Sequence, residues 1–325
     1  MTAPESTSPL GTEGIVELAV LERSGMIESR HLGAAIVVAA DGSVLRELGD
    51  SSELVFGRST LKFLQALTLL RLGVRLDGEQ LVLAAASHQG TDRHIAVVEL
   101  ILERAGLGRE SLQCPPDFPL DAATRHQATT RRRITMNCSG KHAAFLLACV
   151  RNDWPTSSYL DPAHPLQLVI RATVEEFTGE PVERVGVDGC GAPVFTVTLL
   201  GLARSMARLL DDPDGARLVA TVRAHAWALD SPAIATAIDE LGVVAKNGAE
   251  GVFVALAPNG SAVALKVIDG STRASIAVGL ALLASTGALD AEATASVIAA
   301  TTEQVLGGGA RVGALRVADA IASSG

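Results

Sequence analysis

Ser59, Thr60, Leu61 and Lys62 make a Ser-x-x-Lys quartet at the head of the apolar-periodic run LKFLQALTLL. On a helix, residues three apart share a face, so the hydroxyl and the amine can meet. A buried lysine that gives up its proton is a general base for serine, and the pair then works as a nucleophile with its activator. Serine is equally a favoured helix N-cap, and in that role its oxygen accepts a backbone N–H instead. A lone Ser-x-x-Lys arises easily by chance, so the rest of the chain has to decide between the two roles.

Two cysteines stand in segments with chemistry of their own. In Asn137-Cys138-Ser139-Gly140-Lys141-His142 the thiol lies at or just before the start of a helix that continues as AAFLLACV, where the helix dipole favours thiolate. In Asp188-Gly189-Cys190-Gly191-Ala192-Pro193 the flanking glycines leave the thiol sterically open. Two thiolates and a nearby nitrogen donor suit Zn2+, although the chain has no Cys-x-x-Cys or His-x-x-x-His pairing of the zinc-finger kind. Two buried, unreactive thiols are the plain alternative. Ser87-His88-Gln89-Gly90 closes the apolar run LVLAAA, and Lys266 sits in a late strand pattern, LKVID. A lysine there is either paired and functional or turned out of the pleat into water. Lys246, in Lys-Asn-Gly-Ala-Glu-Gly, reads as part of a flexible glycine-rich turn.

The lysines are few: Lys62, Lys141, Lys246 and Lys266, against 23 arginines. Where arginine does the general surface work, a lysine that persists is a candidate for a task arginine cannot do, namely losing its proton.

The elements that must hold these residues follow from periodicity. Residues 15–22 and 32–47 are rich in Val, Ile and Leu, with a turn at Asp41-Gly42, and a second hairpin runs from GVFVAL through Pro258-Asn259-Gly260 to SAVALKVID. Between them, helical spacing recurs over 60–72, 91–105, 140–151, 165–177, 195–210 and 215–228, with Gly106 and Gly179 as stops and Asp230-Ser231-Pro232 as a start. Helical patterns return over 272–286 and 290–305 and end at Gly307-Gly308-Gly309. Sheet, long helical stretch, sheet and helix imply an α/β (α+β) chain. Its sheet domain would be built from residues 15–60 and 246–325, a mainly helical region over 61–245 would be inserted, and residues 1–14 would form a disordered tail.

Composition excludes whole classes of function. The 325 residues are 48% hydrophobic and 19% charged, with mean hydropathy +0.32. Yet the richest stretches, such as Ile276 to Ala284, are much shorter than the roughly 20 apolar residues of a membrane span. A net charge of -9 argues against nucleic acid, and the basic cluster Arg131-Arg132-Arg133 has no flanking aromatics. No signal peptide is legible at the N-terminus, so a cytoplasmic location is expected, with the four cysteines free, catalytic or metal-bound rather than paired.

In their order along the chain, Arg58-Ser59-x-x-Lys62, Ser87-His88, the NCSGKH and DGCGAP segments, Gly248-Ala249-Glu250-Gly251 and Lys266 resemble the asparaginase II family, the Rhizobium etli type of L-asparaginase. The resemblance runs over about residues 15–320. It implies a serine β-lactamase-like or glutaminase-like fold, a homodimer, and hydrolysis of L-asparagine to L-aspartate and ammonia. Carried onto this chain, it implies Ser59 with Lys62 as a first Ser-Lys pair and Ser87 with Lys266 as a second. It also implies one Zn2+ per chain on Cys138, Lys141 and Cys190, with Arg58, His88, His142 and Asp188 lining the substrate site. Some members carry a further cysteine just upstream of the GAEG segment; this chain has Val244-Ala245-Lys246-Asn247 there. The alternatives are another serine hydrolase of the same fold, a glutaminase or β-lactam-binding enzyme, and a zinc-stabilised binding protein without catalysis. The apparent lack of a Lys-Thr-Gly strand counts against the β-lactam type.

Overall fold

A computed structural model describes residues 8–322; residues 1–7 of the expected tail lie outside them. The strands are β1 (Val16–Arg23), β2 (Met26–Val38), β3 (Val44–Leu48), β4 (Leu54–Phe56), β5 (Val185–Val187), β6 (Pro193–Thr198), β7 (Val244–Gly248), β8 (Val252–Leu256), β9 (Ala262–Val267), β10 (Val305–Gly307) and β11 (Ala310–Val317). The helices are α1 (Lys62–Arg71), α2 (Gly78–Ala85), α3 (Asp92–Arg104), α4 (Ala122–Gln127), α5 (Ser139–Arg151), α6 (Pro165–Thr178), α7 (Leu199–Ala207), α8 (Pro213–Ala224), α9 (Pro232–Leu241), α10 (Ser275–Ser285), α11 (Ala291–Thr301) and α12 (Asp319–Ala322). They fall into two compact units: Met1–Thr60 with Thr196–Arg208 and Thr236–Gly325, and Leu61–Phe195 with Leu209–Ala235.

The first unit is an antiparallel sheet in the order β10-β11-β1-β2-β9-β8-β7, with β3 also on β2. Its turns are those that right-handed twist demands. Ser24 and Gly25 take φ of 50° and 81° between β1 and β2, while Gly42 and Gly260 (81° and 88°) close the hairpins expected at Asp41-Gly42 and Asn259-Gly260. Strand β8 is buried along its whole length, because α7 and α10 both pack on β8 and β9. Gly279 of α10 makes this close: a side-chain carbon there would come within 2.3 Å of the Phe253 ring. Residues 8–10 are not a free tail, since the Leu10 amide donates to the Leu54 carbonyl and the Leu54 amide to the Ser8 carbonyl.

Two periodicity readings are corrected in this unit. The stretch 195–210 is not one helix: the β-branched run Thr196-Val197-Thr198 finishes β6, and Thr198 then caps α7 by accepting the Gly201 amide at 2.8 Å. The stretch 290–305 stops being helical at Thr301, and Gly308 and Gly309, with φ of 58° and 85°, turn β10 into β11, which pairs with β1. The triple glycine that looked like a terminator is a hairpin.

The second unit is a helical cluster around α2, which touches α1, α3, α5 and α8, while α6 packs on α1. Helix α6 has Pro165 in its first turn and ends at Gly179, whose φ of 78° is left-handed, as the sequence implied. The approach of α5 to α2 depends on Gly140, where a Cβ would sit 2.7 Å from the Leu83 carbonyl oxygen and 3.0 Å from Leu83 Cβ. Backbone cannot rotate away as a side chain can. Gly140→Ala should therefore destabilise the protein by about 2 kcal/mol despite alanine's better helix propensity. Calorimetry would register a lower Tm, and an unchanged or higher Tm would show that α5 can shift off α2 freely. No helix among the described residues is long and apolar enough to cross a membrane.

Candidate active site

Lys62 opens α1 directly after the short 3-10 turn Arg58–Leu61, and its side chain is fully buried. A buried ammonium or amine must place its hydrogens. Lys62 Nζ places them on the Ala86 carbonyl (2.7 Å), Ser87 Oγ (2.9 Å) and Cys138 Sγ (3.0 Å). These acceptors come from different elements. Helix α2 ends at Ala85 and releases the extended Ala86-Ser87 segment, while Cys138 is the N-cap residue of α5, brought close by Gly140. The serine joined to Lys62 within the helical unit is thus Ser87, which the family resemblance had paired with Lys266.

His88 secures this segment. It is fully buried, its Nδ1 accepts the Gly90 amide at 3.1 Å, and its Nε2 lies 2.8 Å from Ser139 Oγ, whose hydroxyl donates to the Ile134 carbonyl. Nε2 must then carry the proton and donate to Ser139. With the His88 amide also bonded to the Asn137 carbonyl, Ser87 is clamped to the N-terminus of α5. His88 thus spends both ring nitrogens on bonds that hold the serine segment in place.

The two cysteines are shifted in opposite directions. The hydrogen bond from Cys138 holds the Cys190 thiol far below its ordinary range, and Lys141 and His142 add to the effect. The same bond and burial push Cys138 well above its ordinary range. The helix dipole at Cys138 loses to these two effects, so the thiolate is Cys190 and not both. Lys141 Nζ donates to Cys190 Sγ at 3.1 Å. Although burial opposes its charge, the cysteines and Asp188 together keep Lys141 protonated beyond its usual range. Asp188 Oδ2 is 3.8 Å from the same sulfur. His142 is buried beside it, and burial pushes its pKa below the ordinary imidazole range.

Among the described residues no cluster of three or more His, Cys, Asp or Glu side chains could hold a metal ion. The set expected for zinc, Cys138, Lys141 and Cys190, has a lysine as its third donor. Its donor chemistry fits: two thiols and an amine, with the Lys141 amine 3.1 Å from the Cys190 sulfur, lie within the N and S preference of Zn2+. Binding would have to strip the thiol and Lys141 protons.

In the sheet unit, Ser59 lies on the 3-10 turn beside Arg58, whose φ of 49° is left-handed for a non-glycine residue. Gly248 admits that turn: a Cβ on it would come 3.2 Å from Thr60 Cγ2 and 3.4 Å from Arg58 Cβ. Lys266 is partly exposed and gives its amine to the Glu250 carbonyl; burial and then the Arg58 charge lower its pKa, against the pull of Glu250. Lys246 corrects the sequence reading. It is not in a flexible turn but on β7, fully buried, followed by Asn247 and Gly248 at the strand end. A Lys-Asn-Gly strand therefore stands where a Lys-Thr-Gly strand had been found missing. The signal was available in the scarcity of lysine and the apolar Val243-Val244-Ala245 before it.

The comparisons with known proteins bear on this site. No curated protein matches the sequence. Similar solved structures include a β-lactamase from Mycobacterium bovis, 16% identical over 78% of this chain and 94% of its own, with a TM-score of 0.43. A Bacillus glutaminase is 12% identical over 73% of this chain and 83% of its own, with a TM-score of 0.33. The glutaminase of Bacillus subtilis in covalent complex with 5-oxo-L-norleucine is 13% identical over 73% and 80%, also at 0.33. The model of the L-asparaginase II family matches residues 19–317, a span that takes in Ser59, Lys62, Ser87, both cysteine segments and both strand lysines. By that match the chain belongs to the L-asparaginase II family, a family of amidohydrolases.

Proposed function

We propose that the chain is an L-asparaginase that hydrolyses L-asparagine to L-aspartate and ammonia through a serine ester. The observation that carries this reading is the buried hydrogen bond from Lys62 Nζ to Ser87 Oγ at 2.9 Å, an amine and a hydroxyl set to pass a proton between them. Ser59, three residues before Lys62, is the nucleophile. In its neutral form Lys62 donates to only two of its three neighbours, and its lone pair takes the Ser59 proton as the oxygen attacks the side-chain carboxamide carbon. The proton then moves through Ser87 to the amide nitrogen, the C–N bond breaks and ammonia leaves. Water adds to the ester, its proton returning through the same pair, and the C–O bond to Ser59 breaks to give aspartate.

Lys246 is the better candidate for the second catalytic amine, because it is fully buried on a strand, where a lysine is costly unless it is paired or functional, whereas Lys266 is partly exposed. On this reading Lys246→Met lowers kcat more than Lys266→Met does; the reverse order would restore Lys266 to the role that the resemblance gave it.

Cys138, Lys141 and Cys190 would hold one Zn2+ per chain. When bound, it would supply a fixed positive charge for the substrate's carboxylate end. Purified protein should then contain about one zinc per chain, and Cys138→Ser and Cys190→Ser should each lower that content in elemental analysis, since each removes one of three protein donors. Equal zinc in wild type and both variants would rule the site out. Ammonia release from asparagine and glutamine, and ring opening of a β-lactam control, each with and without a chelator, test the function itself. Asparagine should be the preferred substrate, and a preference for glutamine would turn the reading to a glutaminase.

A further inference from the structure

The Ser87-His88 segment has two backbone supports. The Ser87 amide donates to the Leu229 carbonyl at 2.8 Å, and the His88 amide donates to the Asn137 carbonyl at 3.0 Å. His94, a buried residue on the first turn of α3, touches the rings on both sides. It stacks on the His88 ring, with centroids 5.3 Å apart and planes 19° from parallel. It also meets the Trp227 ring at 4.8 Å and 56°. Both arrangements fall within the range where aromatic rings attract one another. Trp227 lies in the short 3-10 turn Ala226–Ala228, directly before the Leu229 that holds Ser87, and the Arg93 guanidinium lies 3.6 Å from its ring centroid. Arg93, Trp227, His94 and His88 thus form an unbroken run of ring contacts behind the serine backbone.

His94 has a second contact that would explain its presence without any of this. Thr91, the N-cap residue of α3, brings its hydroxyl within 2.6 Å of His94 Nδ1 and, among the described residues, caps no backbone amide. The two roles ask for different chemistry. A local bond at a helix start needs a polar atom at the right reach and no ring. The stack needs a flat, uncharged ring and neither nitrogen. Burial, against the pull of the Trp227 backbone, pushes the His94 pKa down to about 4, so the ring is neutral at pH 7.

We propose that His94 is a positioning residue for Ser87, its ring stacked between His88 and Trp227 so that the serine stays in register with the Lys62 amine. The kinetic consequence rests on the asparaginase reading, in which Ser87 passes a proton; the structural one does not.

The test uses two variants of the full chain that separate ring from nitrogen. His94→Phe keeps the ring and removes both nitrogens, whereas His94→Asn keeps a polar group near Thr91 and removes the ring. His94→Asn should lower kcat for ammonia release from asparagine by about tenfold or more with KM little changed, and His94→Phe should restore it to within about threefold of wild type. Amide hydrogen exchange of the peptide holding Ser87 and His88 should be slow in wild type and the Phe variant and roughly a hundredfold faster in the Asn variant. Activity kept in Asn and lost in Phe would assign His94 to the start of α3 and overturn the proposal. So would wild-type exchange in both variants, fast exchange of that peptide in wild type, or a speeding spread evenly over the whole chain. If the Asn variant fails to fold, Trp227→Leu removes the stack from its other side and should speed the same peptide; unchanged exchange there also overturns the proposal. Exchange needs no substrate, so a wild type inactive on asparagine with the expected exchange pattern fails the asparaginase reading alone.

Discussion

Lys62→Met should lower kcat for ammonia release from asparagine by about 10^4-fold while leaving the protein folded. Methionine matches the length of the lysine stem and fills the same space under α1, so no cavity opens. What it removes is the donor to the Ala86 carbonyl, Ser87 Oγ and Cys138 Sγ. Leaving the Ala86 carbonyl unpaired costs about 1–3 kcal/mol, a loss of several degrees in Tm for a chain of this size, not unfolding. The kinetic loss is larger because the amine is the proposed acceptor of the nucleophile's proton and also the partner that orients Ser87. Circular dichroism and a melting curve establish the fold, and steady-state kinetics at saturating asparagine give kcat. A Lys62→Met protein with kcat within tenfold of wild type would end the Ser-Lys mechanism and leave the spacing of Ser59 and Lys62 as a chance match.

The sequence disclosed the segments of the site better than their pairings. Cys138, Lys141 and Cys190 stood out because glycines and a helix start flank them, and they do gather in the helical unit. The partner of Lys62 did not stand out. Ser87 is 25 residues away and reaches the amine because α2 stops at Ala85 and His88 clamps the segment to α5, neither of which leaves a local pattern. Lys246 was hidden for the opposite reason: Asn-Gly-Ala-Glu-Gly after it has the composition of a turn, and that turn signal masked the five-residue strand in which it is buried. Strands β10 and β11 were missed because their side chains are half-exposed and lack the alternation that a one-sided sheet produces. The opposite pKa shifts of Cys138 and Cys190 could not be read at all, since a helix N-terminus alone favours thiolate at Cys138 and the stronger effect comes from a residue 52 positions on. His94 belongs to no motif.

Ser59→Ala should abolish the reaction, with a fall in kcat of roughly a millionfold to the level of uncatalysed hydrolysis aided by binding alone. The competing role predicts a different size of effect. As an N-cap, Ser59 would contribute about 1 kcal/mol of stability and nothing to chemistry. The structure weakens that role, because Ser59 lies within a 3-10 turn whose residues lead into α1, and the N-cap position of α1 is Leu61. No side chain caps α1. The turn is held by Thr60, whose amide and hydroxyl both bond to the Gly57 carbonyl. Removing the Ser59 hydroxyl should therefore leave Tm within about a degree of wild type, as expected of a surface or site hydroxyl with no cap to lose. The two readouts separate the roles: full activity with a lowered Tm makes Ser59 structural, whereas an unchanged Tm with no ammonia makes it the nucleophile. Mass spectrometry supplies a positive sign. Wild type quenched during turnover should carry an added aspartyl group on the peptide containing Ser59, and the Ala variant should not. An adduct found on the Ser87 peptide instead would transfer the nucleophile to the serine that Lys62 already holds at 2.9 Å.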